Sequence, residues 1–405
     1  MTNSSPALRA EWWTFLFHGK RGLTICNRHY ENRSDGLYGF APDRSFESFK
    51  HDTSMVEFLE KDARCSDDYV FLSPRGGGLP RSGGLIIDAD GEPTCKGQEY
   101  LTFWMGDDRD GRKQGSWYML DSSYTLQYTL FTGGDIAGDM HKFQMTDDDT
   151  ALITAYHPIS TDLSPIGGRR DGWILDGIFQ EVDIASGRVL FKWRASDHVP
   201  VNMTYKVFAG CEATNSGPYG GCGDETSAFD YFHLNSVEKD ASGNYLVSGR
   251  HTHTISYTGV TPGAIYWNLG GKVNDFRDLS GGNATGFSWQ HHAHLDRLEA
   301  EFRAAYYDPQ RMQAVSQGSL QVLEGGNVFV GWGHSAVFTE FVAEGTVLCD
   351  AHLGGSAYFQ FGRVTFYRAF RGKWIGLPQE PPDAVLVGEP CTSAGMALRK
   401  STVGK

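Results

Sequence analysis

The sequence predicts an all-β chain, a six-bladed β-propeller with an irregular N-terminal extension, and three observations carry that prediction. Fifty glycines against fifteen prolines, with aromatic residues at 13%, suit short strands and tight turns rather than helix bundles. A strand rhythm sets in at Tyr69 and hardly stops before Pro378. Within it, HKFQMTDDDTALITAY, HLNSVEKDASGNYLVSGR and LQVLEGGNVFVGWGH each run strand, acidic or glycine turn, strand, with segments such as DIASGRVLFKW between them. Units spaced several tens of residues apart, at about four strands each, mark small sheets arranged radially. A sandwich of this length needs fewer and longer strands.

Taken in order, residues 1–67 are weakly periodic and form the N-terminal extension, with a short helix expected over Ser54–Asp62 (SMVEFLEKD). The propeller spans 68–378. YVFLSP and GGLIIDADGEP predict strand, turn, strand; WYMLDSSYTLQYTLF predicts a hairpin. Further strand pairs are expected from His141 (HKFQMTDDDTALITAYHPIS), from Ile178 (IFQEVDIASGRVLFKWRASDHV) and from His233 onward into TISYTGVTPGAIYWNLGG. A loop over Asn274–Gly286 leads to FSWQHHAHL; SLQVLEGGNVFVGWGHSAVFTEFVAEGTVLCDAHLG and RVTFYRAFRGKWIGLP close the strand region. Residues 379–405 read as a tail.

Charge narrows the partners. With 36 basic and 49 acidic residues the chain carries a net charge of −13, which argues against nucleic acid or an anionic membrane. No run approaches the ~18 apolar residues of a membrane helix. WWTFLF (Trp12 to Phe17) is too short for a secretory signal core, yet sequons stand at Asn3, Asn32, Asn202 and Asn283, and there are seven cysteines. Cys211 and Cys222 bracket a glycine-rich loop and read as a local disulfide; Cys26, Cys65, Cys95, Cys349 and Cys391 cannot be paired from sequence. These features point to a glycosylated protein of the secretory pathway or the extracellular space.

The chemistry centres on DYFHLNSVEKDASGNYLVSGRHTH, Asp230 to His253. HLNSV and NYLVSGR predict two strands joined by a DASG turn. His233 and Asn235 are therefore expected to share a face of the first strand, and Arg250 to reach the same hairpin mouth from the returning strand. In a propeller, a polar residue opening the first strand of a blade points into the central channel. His141, His233 and His291 are expected at such openings, and His334 in NVFVGWGH at the equivalent rim.

HKF with TALITAY, GIFQEVDIASGRVLFKW, DYFHLNS with GNYLVSGRH, YWNLGGKVNDF, FSWQHHAHL and GWGH resemble, in order, the arylsulfotransferase family, in particular its fungal branch. The resemblance implies a six-bladed propeller. It implies sulfuryl transfer between phenols through a transient sulfohistidine, with no nucleotide donor. By motif, Q-H-x-A places the nucleophile at His291; D-x-x-H-x-N-S gives His233 and Asn235, the arginine after L-V-S gives Arg250, and H-x-F gives His141. Catalysis is thus expected from His291, His233, Arg250 and His141, and substrate contacts from Asn235, His334, Tyr156, Trp289 and Trp332. No cofactor is implied.

Two other enzymatic or binding readings stay open. The same cluster suits acid catalysis of dehydration and cyclisation or hetero-cycloaddition in secondary metabolism, on an aromatic, polyketide or terpenoid substrate. A propeller channel also serves non-catalytic binding. Histidine pairs in HTH (His251, His253) and HHAH (His292, His294) have the residue type for a transition metal but no neighbouring cysteine or carboxylate to complete a shell, so no metal is assigned. His251, His253 and His294 read instead as strand-face or loop histidines, and His198 as a hydrogen-bonder at a blade edge.

Overall fold

A computed structural model describes residues 43–44, 53–54, 56–79, 82–87, 100–107, 114–210, 221–260, 263–294, 302–353 and 363–374. The chain divides into two compact units, Met1–Cys95 with Ala304–Lys405, and Lys96–Arg303. The architecture is predominantly β, in several antiparallel sheets. In chain order the strands are β1 (Asp43–Arg44), β2 (Thr53–Ser54), β3 (Glu57–Lys61), β4 (Tyr69–Arg75), β5 (Leu85–Ile87), β6 (Leu101–Asp107) and β7 (Gln114–Leu120). There follow β8 (Leu126–Leu130), β9 (Gly138–Met145), β10 (Thr150–Thr161), β11 (Gly172–Asp183), β12 (Val189–Arg194), β13 (Leu234–Lys239), β14 (Tyr245–Gly249), β15 (Thr254–Thr258) and β16 (Ile265–Gly270). The last are β17 (Ser319–Val322), β18 (Val328–Gly331), β19 (Val337–Phe341), β20 (Val347–His352) and β21 (Thr365–Gly372). Among the described residues no helix is long and apolar enough to cross a membrane.

In the first unit β17–β20 form a meander, and β3 adds to it along β20, from Cys349 opposite Lys61 to His352 opposite Glu57. The helix expected over Ser54–Asp62 is therefore a correction: Thr53–Ser54 and Glu57–Lys61 are strands. Pairing to β20 satisfies the backbone and sets Phe58 edge-on to Phe338 at 6.0 Å, and this tertiary context outweighs the helical pattern. A disulfide joins Cys65 to Cys349, with Cα atoms 6.0 Å apart, stapling the turn after β3 to β20. β4 lies between β21 and β5 in a second sheet, and Val70, Leu72, Phe329, Phe338 and Phe366 share one core.

In the second unit β9–β12 and β13–β16 are four-stranded antiparallel meanders. The strand pairs expected from His141, Ile178 and His233 all form. β6–β8 join β9 through one pair, Gly115 opposite Gly138. A Cβ on Gly138 would stand 2.6 Å from the Trp117 ring, so only glycine lets the strands approach there. Leu152, Phe179, Trp193, Phe232, Val237 and Tyr245 form the core on which the β10–β12 and β13–β14 segments meet. Burying each large side chain fully contributes about 2–3 kcal/mol. Cys211 of the expected Cys211–Cys222 disulfide, residues 379–405 and most of 1–67 lie outside the described residues.

Candidate active site

The site belongs to the Lys96–Arg303 unit and begins with an irregularity in β9. Phe143 pairs with Ile153 and Asp139 with Thr154, so Met140, His141 and Lys142 have no opposite residue on β10. A bulge of this kind bends the strand and re-aims its side chains. The Thr154 hydroxyl fills the gap, accepting from the Lys142 N–H at 3.0 Å and donating to the Asp139 carbonyl at 3.2 Å. His141 is thereby turned onto Asp139, whose Oδ1 accepts its backbone N–H at 3.0 Å and is hydrogen-bonded to its Nδ1. Both residues are buried.

His233 does not lie in β13. It precedes the strand at φ +53°, a left-handed conformation that a non-glycine residue adopts at a cost of about 1–2 kcal/mol. Asp230 holds it there: Oδ1 accepts the His233 N–H at 3.1 Å and Oδ2 pairs with Nδ1. β13 itself slips register between Leu234 and Ser236. The two-residue alternation expected to put His233 and Asn235 on one face therefore does not apply. Arg250 does oppose His233 as expected, its N–H donating to the His233 carbonyl at 3.0 Å.

The same aspartate carries a second imidazole. His251 Nδ1 donates to the Asp230 carbonyl at 2.7 Å and lies 3.8 Å from its Oδ2. Burial pushes the His251 pKa down to about 3, so its ring is neutral through the physiological range. Burial would raise the Asp230 pKa, but the facing His233 and His251 rings, the His233 hydrogen bond and the Lys206 charge outweigh it and hold the carboxyl well below the usual range.

His291 sits on an irregular segment rather than at a strand opening, and side chains from the neighbouring meander position it. Asn235 Nδ2 donates to the Gln290 carbonyl at 2.9 Å, and the Ala293 N–H donates to Ser236 Oγ at 3.0 Å. Gln290 Nε2 donates to the Gly249 and Thr254 carbonyls, each at 2.9 Å. Arg250 Nη1 donates to the Trp289 carbonyl at 2.5 Å. The rings converge: His141 lies 4.9 Å from His233, edge to face at 84°, and 6.4 Å from His291; His233 lies 4.7 Å from His251. Tyr156 is 5.6 Å from His141 and 6.1 Å from His233, its hydroxyl donating to the Leu234 carbonyl at 2.8 Å.

Of the residues singled out in the sequence, His141, His233, Arg250, His291, Asn235, Tyr156 and Trp289 thus come together in one unit. Trp289, 43% exposed, sits edge-on to His251 at 5.6 Å and to His253 at 4.6 Å. Trp332 and His334 belong to the other unit, where Trp332 Nε1 donates to Thr339 Oγ1 at 2.9 Å and burial lowers the His334 pKa. His198 stacks on Trp193 at 5.2 Å. Sequence reasoning passed over Asp139, Asp230 and His251 as members of the site. The two aspartates did leave a signal, since each stands two or three residues before its histidine, in DMH and DYFH.

The arylsulfotransferase family model matches residues 93–308, just over half of the 405-residue chain, and that stretch contains every residue of the histidine cluster. The chain belongs to the arylsulfotransferase family. No curated protein matches it. Among solved structures, a protein of unknown function from Bacteroides caccae is similar over 75% of this chain and 98% of its own, at 14% identity and a TM-score of 0.28. For this arylsulfotransferase-family chain, imidazoles oriented by buried carboxylates are groups suited to taking and giving protons.

Proposed function

We propose that this chain is a propeller enzyme, six-bladed as the repeats suggest, that moves a sulfuryl group between small phenols through a histidine. The observation that carries the reading is the meeting of His141, tied through Nδ1 to the buried Asp139, with His291, 6.4 Å away. A carboxylate on Nδ1 fixes the tautomer, directs Nε2 outward and stabilises the imidazolium.

In the first half-reaction His291 forms an N–S bond as the S–O bond to the donor phenol breaks, and His141 gives the departing phenolate its proton. In the second, the acceptor phenol loses its proton to His141 and its oxygen takes the sulfur as the N–S bond breaks. Charge spreads over the sulfonate oxygens in both, which is where the Arg250 guanidinium acts. The test is p-nitrophenyl sulfate with a phenol acceptor, followed by peptide mapping. Expected are nitrophenol release, sulfated acceptor and one sulfuryl group on His291, with His291→Ala reducing turnover by about 10⁴-fold or more and Asp139→Asn by about 100-fold. No turnover and no adduct would sink this reading.

The facing pair of carboxylate-oriented imidazoles beside Tyr156 also favours a second reading, acid-catalysed dehydration and cyclisation of a phenolic polyketide or terpenoid. That chemistry needs no covalent histidine. Cyclised product retained in His291→Ala but lost in Asp139→Asn would select it.

A further inference from the structure

The sulfuryl-transfer scheme employs His291, His141 and Arg250 and leaves two imidazoles without a chemical part. His233 and His251 stand 4.7 Å apart and are both pinned through Nδ1 to one residue, His233 to the Asp230 carboxylate and His251 to the Asp230 carbonyl at 2.7 Å. In the neutral form of such a ring, Nδ1 carries the proton given to the oxygen and Nε2 is the lone-pair nitrogen. Among the described residues no hydrogen bond reaches Nε2 of either ring. An acid–base dyad uses one imidazole per carboxylate; Asp230 serves two.

We propose that His233 and His251 hold a divalent transition-metal ion of the zinc class through their Nε2 atoms, with Asp230 behind both rings. Three observations converge on this. Metal-bound histidines pass their second N–H to a carboxylate or a carbonyl, and Asp230 supplies one of each. One ring nitrogen each of His233 and His251 and a carboxylate oxygen of Asp230 lie within 4.8 Å of one another, and the two ring centroids are 4.7 Å apart, close enough for one ion to engage both rings. His251 is buried, so an ion engaged by its ring is held away from bulk water.

Paired imidazoles select zinc, copper or cobalt over magnesium and calcium, which take oxygen ligands. The buried Asp139 and Asp230 carboxylates offset the added charge. This site differs from the pairs that stand out in the sequence: His253 stacks on Tyr205 at 4.2 Å, and His294 Nδ1 meets Glu238 at 2.7 Å.

The test uses the full chain, stripped with chelator, dialysed, and titrated with Zn²⁺ alone and with Co²⁺ alone. Expected are one equivalent of Zn²⁺ per chain and visible Co²⁺ bands bleached by one equivalent of Zn²⁺. His251→Asn keeps a donor for the Asp230 carbonyl but has no Nε2; it and His233→Asn are expected to weaken binding by at least about 100-fold, and Asp230→Asn by about 10–100-fold. His292→Ala with His294→Ala leaves the titration unchanged. The proposal is overturned by substoichiometric uptake in the unmodified chain, or by uptake that survives both Asn substitutions and disappears with His292 and His294. If His251→Asn does not fold, His233→Asn and the Co²⁺ spectrum decide alone. Metal content is read without any turnover, so a failed sulfuryl-transfer assay leaves this result standing.

Discussion

Each unit of the chain buries a carboxylate, and the two are compensated in different ways. In the first unit Glu340 pairs with Arg371 at 3.1 Å, both side chains no more than 1% exposed. Its other oxygen accepts from the Ser66 N–H and from Asn327 Nδ2, each at 2.9 Å, and Arg371 also donates to the Asp68 carbonyl at 2.6 Å. In the second unit Asp230 faces two imidazoles and the Lys206 charge. A guanidinium keeps its charge at any pH a protein meets, so the Glu340 arrangement only holds chain segments together. An imidazole has a second ring nitrogen that can take a proton or a metal ion, so the Asp230 arrangement can do chemistry. Burial alone does not separate a structural carboxylate from a functional one; the kind of partner does.

Removing the fixed partner breaks this comparison most severely. Arg371→Leu leaves Glu340 charged and unpaired in the interior, and urea unfolding is expected to register a loss of about 3–5 kcal/mol. A loss under ~1 kcal/mol would mean that the pair is solvated and the contrast is void.

The titratable partner predicts a smaller effect that depends on pH. His251 has a folded pKa of about 3 against an ordinary value of 6.5, so between these the unfolded chain binds the extra proton and stability falls as pH falls. From pH 6.5 to 4 the loss is on the order of 3 kcal/mol. Asp230, with its pKa depressed in the fold, adds its own loss only below the unfolded carboxyl value near ~4. Unfolding curves at several pH values should show the slope in the unmodified chain and in Arg371→Leu, and a flattened one in His251→Asn. An unchanged slope in His251→Asn would assign the effect elsewhere.

The smallest expected effect sharpens the account of how His141 is aimed. Thr154→Val keeps the side-chain shape but removes both hydrogen bonds that plug the β9 bulge. A stability loss of about 1–3 kcal/mol is expected, from the two buried hydrogen bonds removed. Turnover should fall with it, since the bulge orients the His141–Asp139 pair. Unaltered turnover would show that Asp139 alone positions the ring.

How far the sequence could be read follows from the range of the interactions concerned. HKFQMTDDDTALITAY and HLNSVEKDASGNYLVSGR declare their hairpins because alternation and turn residues act over a few positions, and β9–β10 and β13–β14 pair accordingly. The segment Ser54–Asp62 misled, because its strand exists only by pairing with β20, nearly three hundred residues away. The histidines of the cluster were visible as residue types in recognisable motifs. Their geometry was not: it depends on a three-residue bulge in β9, on a positive φ at His233, and on Asn235 and Arg250 holding the segment that bears His291.

Residue order alone thus settled that this chain is built of short antiparallel strands and which histidines merit attention, because strand patterning and motif spacing are local. Only the fold decided that Asp139 orients His141 and that Asp230 serves both His233 and His251. Those assignments rest on directional hydrogen bonds made where the strands depart from regular pairing, and a pattern of regular strands does not encode its own interruptions.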